Sequence, residues 1–183
     1  MTYERAASLD HFEELGHTKL ASSSLVPAND PTLLFVNSGM VQFKEVFLGS
    51  EQRAYKRATT SQKSLRIAGK HNDLEEVGVD TYHHTMFEML GNWSLGDYFK
   101  KEQLSWIWEF LTKEIKLPKE KLYVYIFEGN NNVPKDTESY EIWKNLGLSE
   151  DHIFEYGVKK NWWSRSGTPD EMPEGAIRGK YRQ

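Results

Sequence analysis

The segment "RATTSQKSLRIAGKHNDLEEVGVDTYHHTMFEMLGN", residues 57–92, decides how this chain is read. Residues 57–66 have strand length. Residues 67–82 carry two glycines and many polar groups, which predicts a loop. Residues 83–92 alternate again, with Thr85, Phe87 and Met89 on one face and His84, Met86, Glu88 and Leu90 on the other. The pattern is a pair of antiparallel strands joined by a long basic loop. Such a hairpin presents hydrogen-bond donors along one edge of a pocket.

Around it, strands and helices mix without a regular βαβ alternation. Residues 4–15 place Ala6, Leu9, Phe12 and Leu15 at helical spacing before Gly16. "SSSLVP" is a short extended piece stopped by Pro27. "TLLFV", 32–36, is a continuous apolar run suited to the middle of a sheet. Residues 37–49 predict a loop with a short helical piece. Residues 99–115 form the strongest helical pattern, with Phe99, Leu104, Ile107, Trp108 and Leu111 on one face. "LYVYIF", 122–127, predicts a strand, and "TESYEIWKNLG" a helix ending at Gly147. Tyr156, Trp162 and Trp163 follow among short elements. Residues 166–183, rich in Gly, Pro and charge, predict a loop or tail. The expected fold class is α+β, with a largely antiparallel sheet flanked by helices.

Composition narrows the function. The 183 residues are 38% hydrophobic and 13% aromatic, enough for a core. With 23 Lys and Arg against 27 Asp and Glu, the net charge is −4. That disfavours a general basic nucleic-acid binder, so any polyanion must meet a local patch. No cysteine is present, which excludes disulfides and cysteine-ligated zinc. No window is apolar enough to span a membrane, and the charged first residues lack a signal-peptide core. A soluble cytoplasmic protein is expected.

Within 57–92, Arg66 is the best candidate for an interior cation. It precedes "IAG", where small residues let another group approach the backbone. Its planar fork matches a phosphate or a carboxylate. Lys70, His71 and Asn72 lie on the loop, within reach of a phosphate tail. His83 and Phe87, four apart on one strand, would point the same way about 13 Å apart. That places a donor at a phosphate and an aromatic face at a base. Arg66 as a surface ion pair and Phe87 as ordinary core remain alternatives on spacing alone. His71, His83 and His84 lack a recognised ligand spacing, so no metal site is expected. Neither GxxxxGK[ST] nor GxGxxG occurs. The residues by themselves reach an anion pocket and leave the anion open.

The ordered strings "SSSLVPANDPTLLFVNSGMVQFKEVFLG", "RATTSQKSLRIAGKHNDLEEVG" and "HHTMFEMLGNWSLGDYFKKE" closely resemble the N-terminal catalytic domain of the alanyl-tRNA synthetases, class II aminoacyl-tRNA synthetases, from about residue 5 to about 175. The resemblance implies that family's antiparallel sheet and its chemistry. Alanine and ATP, with Mg²⁺ accompanying the nucleotide, form alanyl-adenylate, and the acyl group passes to tRNA(Ala). It implies that the stretch near 12–27 is motif 1, mainly structural and often at a subunit interface, and that 57–92 is motif 2. Arg66 corresponds to the arginine bridging the α-phosphate and the amino-acid carboxylate. His83 and Phe87 match the "(R/H)xxxF" pattern, His83 at the γ-phosphate end and Phe87 stacked on adenine. Lys70, His71, Asn72 and Asp73 belong to "GKHNDLE", at ATP or the tRNA acceptor end. In "NWW", 161–163, Trp163 corresponds to a tryptophan lining the alanine pocket.

On this resemblance, residues 1–165 are expected to be a partial catalytic domain. The chain is expected to stop before motif 3, leaving an exposed sheet edge open to self-association. A non-catalytic ATP- or adenylate-binding paralogue or interaction module is the alternative reading.

Overall fold

The computed structural model describes residues 2–28, 30–68, 71–162 and 168, with the side chains of Ala68 and His71 left aside. They fall into two compact units, one up to Asp97 and one from Tyr98.

In the first unit, helix α1 (Tyr3–Glu14) buries Ser8, Leu9 and Phe12. Gly16 ends it at φ +83°, where a side chain would be strained. The turn closes with Gly16 N–H donating to Glu13 O and His17 N–H to Phe12 O, both 2.9 Å, so the last carbonyls of the helix are satisfied. Strand β1 (Thr18–Leu20) runs parallel to β2 (Arg57–Leu65), with Thr18 opposite Ala58. The small strands β3 (Ile67–Ala68) and β4 (His71–Asn72) form their own antiparallel pair. Strand β5 (Met86–Ser94) pairs antiparallel with β2 along its full length, Arg57 opposite Ser94 and Leu65 opposite Met86. The sheet order is β1–β2–β5, so β5 is an edge strand among the described residues.

The two faces of this sheet differ. On the outer face, Arg5 of α1 pairs with Glu88 of β5 at 2.5 Å. Arg57 donates to Leu15 O at 2.9 Å and pairs with Asp97. The inner face carries Ala58, Thr60, Gln62 and Ser64, all fully buried, opposite Trp93, Gly91, Met89 and Phe87. The segment 37–48 lies over it through a single 3₁₀ turn (Val41–Phe43) and helix α2 (Lys44–Leu48). Phe43 packs against Trp93, ring centroids 5.2 Å apart.

"TLLFV" is not a strand in the structure. Asp30 accepts the Thr32 N–H at 3.0 Å through its carboxylate and the Leu33 N–H at 3.3 Å through its carbonyl, which curls the chain after Pro31. Leu34 is consequently 72% exposed. Only Val36 is buried, fixed by Val36 N–H to Leu25 O at 2.8 Å and Leu65 N–H to Val36 O at 2.9 Å. These isolated bonds anchor a loop to the sheet without extending it.

In the second unit, α3 (Lys100–Glu109) continues as a π-helical turn, Phe110–Glu114, within the expected 99–115. The expected 122–127 strand is the shorter β6 (Val124–Phe127), because a 3₁₀ turn occupies Lys119–Lys121 just before it. Helix α4 (Thr137–Asn145) is capped by Asp136, whose carboxylate accepts the Ser139 N–H at 3.2 Å and the Ser139 hydroxyl at 2.7 Å. Strand β7 (Ile153–Tyr156) pairs parallel with β6, and α5 (Val158–Asn161) follows. Trp108, Ile126, Trp143, Leu148 and Ile153 form the core, with Trp108 and Trp143 edge-on at 6.0 Å.

Candidate functional site

Arg66 stands at the seam between β2 and β3. Its N–H donates to Thr85 O at 2.9 Å, and its carbonyl accepts the Asp73 N–H at 3.0 Å. The backbone is thus held from both sides before the side chain is placed. The guanidinium Nε donates to Asn37 O at 3.3 Å. Its central carbon lies 5.3 Å from the centroid of the Phe87 ring, within cation–π range. Among the described residues no carboxylate pairs with Arg66. Among the described residues this half-buried guanidinium keeps company with a carbonyl and a ring, which leaves donors that fit an anion.

The floor beside Arg66 and Phe87 is polar yet satisfied. Gln62, fully buried, accepts through Oε1 from Ser23 N–H at 2.9 Å and from Gln42 Nε2 at 3.0 Å. Its Nε2 donates to Ser23 O at 3.2 Å and Lys63 O at 2.8 Å. One amide therefore ties residues 23 and 42 to β2. Farther along the same face, Trp93 Nε1 donates to Thr60 Oγ1 at 3.1 Å.

His83 departs from the expected strand geometry. Strand β5 begins at Met86, because Asp80 Oδ1 accepts the N–H groups of Tyr82 at 3.0 Å and His83 at 2.8 Å, holding 80–83 as a turn. The His83 ring pairs through Nδ1 with Asp80. That carboxylate raises the imidazole pKa above its usual value, against the partial loss of water. At Asp80, desolvation works to raise the pKa, but the hydrogen bonds from His83 and Tyr82 outweigh it and hold the carboxyl at about 2. His83 is therefore an imidazole biased toward its cation, already matched to one carboxylate, and it does not share a strand face with Phe87.

The loop residues are placed in part. His71 pairs with Ala68 through the β3–β4 backbone. Asn72 accepts the Leu74 N–H at 3.1 Å on Oδ1, and Asp73 accepts the N–H groups of Glu76 and Val77 on its carbonyl. Lys70 and Trp163 lie outside the described residues. Asn37, Gln42 and Gln62 had not been singled out from the sequence. Asn37 acts through a backbone carbonyl, which every residue type carries. Gln62 had a faint signal, as the longest polar side chain on a face of small residues. Asp80 had a clearer one: an aspartate three residues before a histidine suits a side-chain-closed turn.

Comparison with known proteins places the whole stretch in one family. The family model of class II (A) tRNA synthetases matches residues 5–181. The chain is 56% identical over 164 residues to an alanine–tRNA ligase of Roseiflexus sp. (strain RS-1) and 54% identical over 164 residues to one of Myxococcus xanthus (strain DK1622). Each alignment covers 90% of this chain. It is 57% identical over 159 residues, 87% of its length, to an alanine–tRNA ligase of Roseiflexus castenholzii. The chain spans about 18% of the length of each of these relatives.

Proposed function

The chain belongs to the class II tRNA synthetase family, and from that premise we propose that its β2–β5 hairpin is the ATP- and carboxylate-binding half of an alanine-activating site. In the proposed reaction, a carboxylate oxygen of alanine attacks the α-phosphorus of ATP. The bond to the β-phosphate breaks, pyrophosphate leaves and alanyl-adenylate remains. The acyl group then passes to the terminal ribose hydroxyl of tRNA(Ala), releasing AMP.

The observation that carries this reading is the pairing of Arg66 with Phe87. The half-buried fork, without a carboxylate partner among the described residues, lies 5.3 Å from the ring centroid. A phosphate-binding group and a base-stacking surface thus sit within the reach of one nucleotide. Arg66 would bridge the α-phosphate and the alanine carboxylate, the two groups whose charges must be brought together. Phe87 would carry adenine. His83, biased toward the cation by Asp80, would meet the γ-phosphate end, and Lys70 and His71 would be further ATP contacts. Asn72 and Asp73 would face ATP or the acceptor end of the tRNA, and Trp163 the alanine methyl.

Mg²⁺ would arrive with the nucleotide and offset the charge of the departing phosphates. Among the described residues no three acidic or histidine side chains converge to hold a metal by themselves. Self-association through motif 1, near 12–27, or along the β5 edge, is part of the same reading. So is a cytoplasmic location; no helix among the described residues is long and apolar enough to cross a membrane.

The test is alanine-dependent ATP–pyrophosphate exchange. Arg66→Ala removes one charged contact to the transition state, at about 2–4 kcal/mol or ~10²–10³ in rate. Phe87→Leu should raise the KM for ATP more than it lowers kcat. Exchange by Arg66→Ala at the wild-type rate would refute the assignment.

A further inference from the structure

We propose, on the basis of the nucleotide reading above, that Arg66 is a built-in occupant of the Phe87 ring, and that an arriving base releases the fork for its anions. The two halves of the site are then coupled: the base platform and the anion fork hold each other in check.

The contact follows from the register. Ser64 stands opposite Phe87. The Arg66 N–H donates to Thr85 O at 2.9 Å, which carries the ladder past the end of β2. Arg66 and Phe87 are therefore diagonal neighbours on the inner face, a separation that a long side chain spans to reach an aromatic ring. The guanidinium carbon ends 5.3 Å from the ring centroid. Among the described residues no other cation lies over this ring. Little else restrains the fork. Its Nε reaches Asn37 O at 3.3 Å, just beyond the usual ~2.7–3.2 Å.

A base stacked on this face must move the fork. Seating it between ring and guanidinium takes two contacts of about 3.5 Å, ~7 Å in all. The guanidinium stands at 5.3 Å. Base and fork thus compete for one face of Phe87, and the competition is reciprocal: a base on the ring frees the fork, and an anion on the fork frees the ring. A cation–π contact between half-buried groups corresponds to roughly two- to fivefold in an equilibrium constant. Coupling of that size favours a phosphate that arrives with its base over a free anion. It makes the base the signal that turns Arg66 toward phosphate and carboxylate.

The experiment divides ATP into two fragments, adenosine and inorganic tripolyphosphate, and follows the amide resonances of Ser64, Arg66 and Phe87 in the isotope-labelled chain. In the wild type, saturating adenosine should tighten tripolyphosphate binding about two- to fivefold, and tripolyphosphate should tighten adenosine by the same factor. Arg66→Ala should weaken tripolyphosphate but bind adenosine about two- to fivefold more tightly than the wild type does. Phe87→Leu should weaken adenosine but bind tripolyphosphate more tightly by the same factor. A residue that merely supports the site would weaken both fragments when replaced, so the sign separates the two roles. The wild-type coupling needs no variant. Saturable binding of both fragments with independent constants overturns the proposal and leaves the nucleotide reading standing. So does a variant whose remaining fragment binds no more tightly than in the wild type. Absence of saturable adenosine binding sinks the nucleotide reading and the proposal with it.

Discussion

Replacing Gly91 by alanine tests how tightly the floor of the site is packed. A methyl group there would stand 2.7 Å from Cζ2 of Trp93 and 2.8 Å from its Cε2 and Nε1. Carbon atoms in contact prefer about 3.5–4.0 Å, so something must move. The indole has little room to retreat. On its other side lies Gly39, where a methyl would be 3.1 Å from the same Cζ2. The Phe43 ring is 5.2 Å away, and Nε1 is tied to Thr60. Overpacking of this kind costs about 1–3 kcal/mol, and losing the Trp93–Thr60 hydrogen bond adds about 1 kcal/mol. The expected cost of Gly91→Ala is therefore about 2–4 kcal/mol. Hydrogen exchange of the β2–β5 amides under increasing urea reads this loss on the first unit alone. In a Trp93→Phe background the penalty should fall by at least ~1 kcal/mol, because the smaller ring vacates the space the methyl needs. Gly39→Ala, with its longer approach, should cost less. An equal penalty with and without the indole would refute the slot.

Burial pushes the His17 pKa below 6.5, despite its bond to Phe12 O. The unfolded chain then binds a proton that the folded chain refuses, so stability is unaffected above pH 6.5 and falls as the pH drops below it. Asp80 raises the pKa of His83, so that pair's contribution is full below pH 6.5 and fades as the pH rises through the folded value. Melting temperatures between pH 5 and 8 should lose the acid-side slope in His17→Gln and the alkaline-side slope in Asp80→Asn; slopes that survive both changes would contradict the assignments. Gln62→Leu leaves the Ser23 N–H and the Gln42 amide without their acceptor, an expected loss of about 2–3 kcal/mol on urea unfolding. Asp136→Ala removes the α4 cap and the partner of Lys100 at 2.6 Å, and should cost about 1 kcal/mol, seen as faster exchange of the first α4 amides.

The parts of the fold that follow local chemistry were legible before the structure. Gly16 stops α1 because only a residue free of a Cβ takes φ +83° there at no cost. The alternation that separates Phe87 and Met89 from Glu88 and Leu90 matches the burial along β5. What failed was decided by single side chains folding back on the backbone. Asp30 turned an apolar run with strand composition into an anchored loop, and Asp80 delayed the start of β5 until after His83. Periodicity sees neither, since both effects come from the oxygens of one aspartate reaching two or three residues along the chain. Arg66 was legible as a candidate, but its placement depends on the carbonyl of Asn37, and carbonyls leave no mark in a sequence.

The weak strand propensity of "ATTSQKS" has a physical reason. A buried sheet face built from valine and isoleucine would be more stable in isolation but would offer nothing to hold the loop above it. Here Thr60, Gln62 and Ser64 are buried on the face that Arg66 and Phe87 share. Gln62 accepts from residues 23 and 42 and donates to Ser23 O, and Val36, one residue before Asn37, accepts the Leu65 N–H. The loop that supplies the carbonyl to Arg66 is thereby fixed to the strand that supplies Arg66 itself. Hydrogen bonds set direction where apolar packing sets only proximity. A fork with the bridging role proposed for Arg66 needs direction, and polar burial in β2 fixes the position of Arg66, with stability of the sheet coming second.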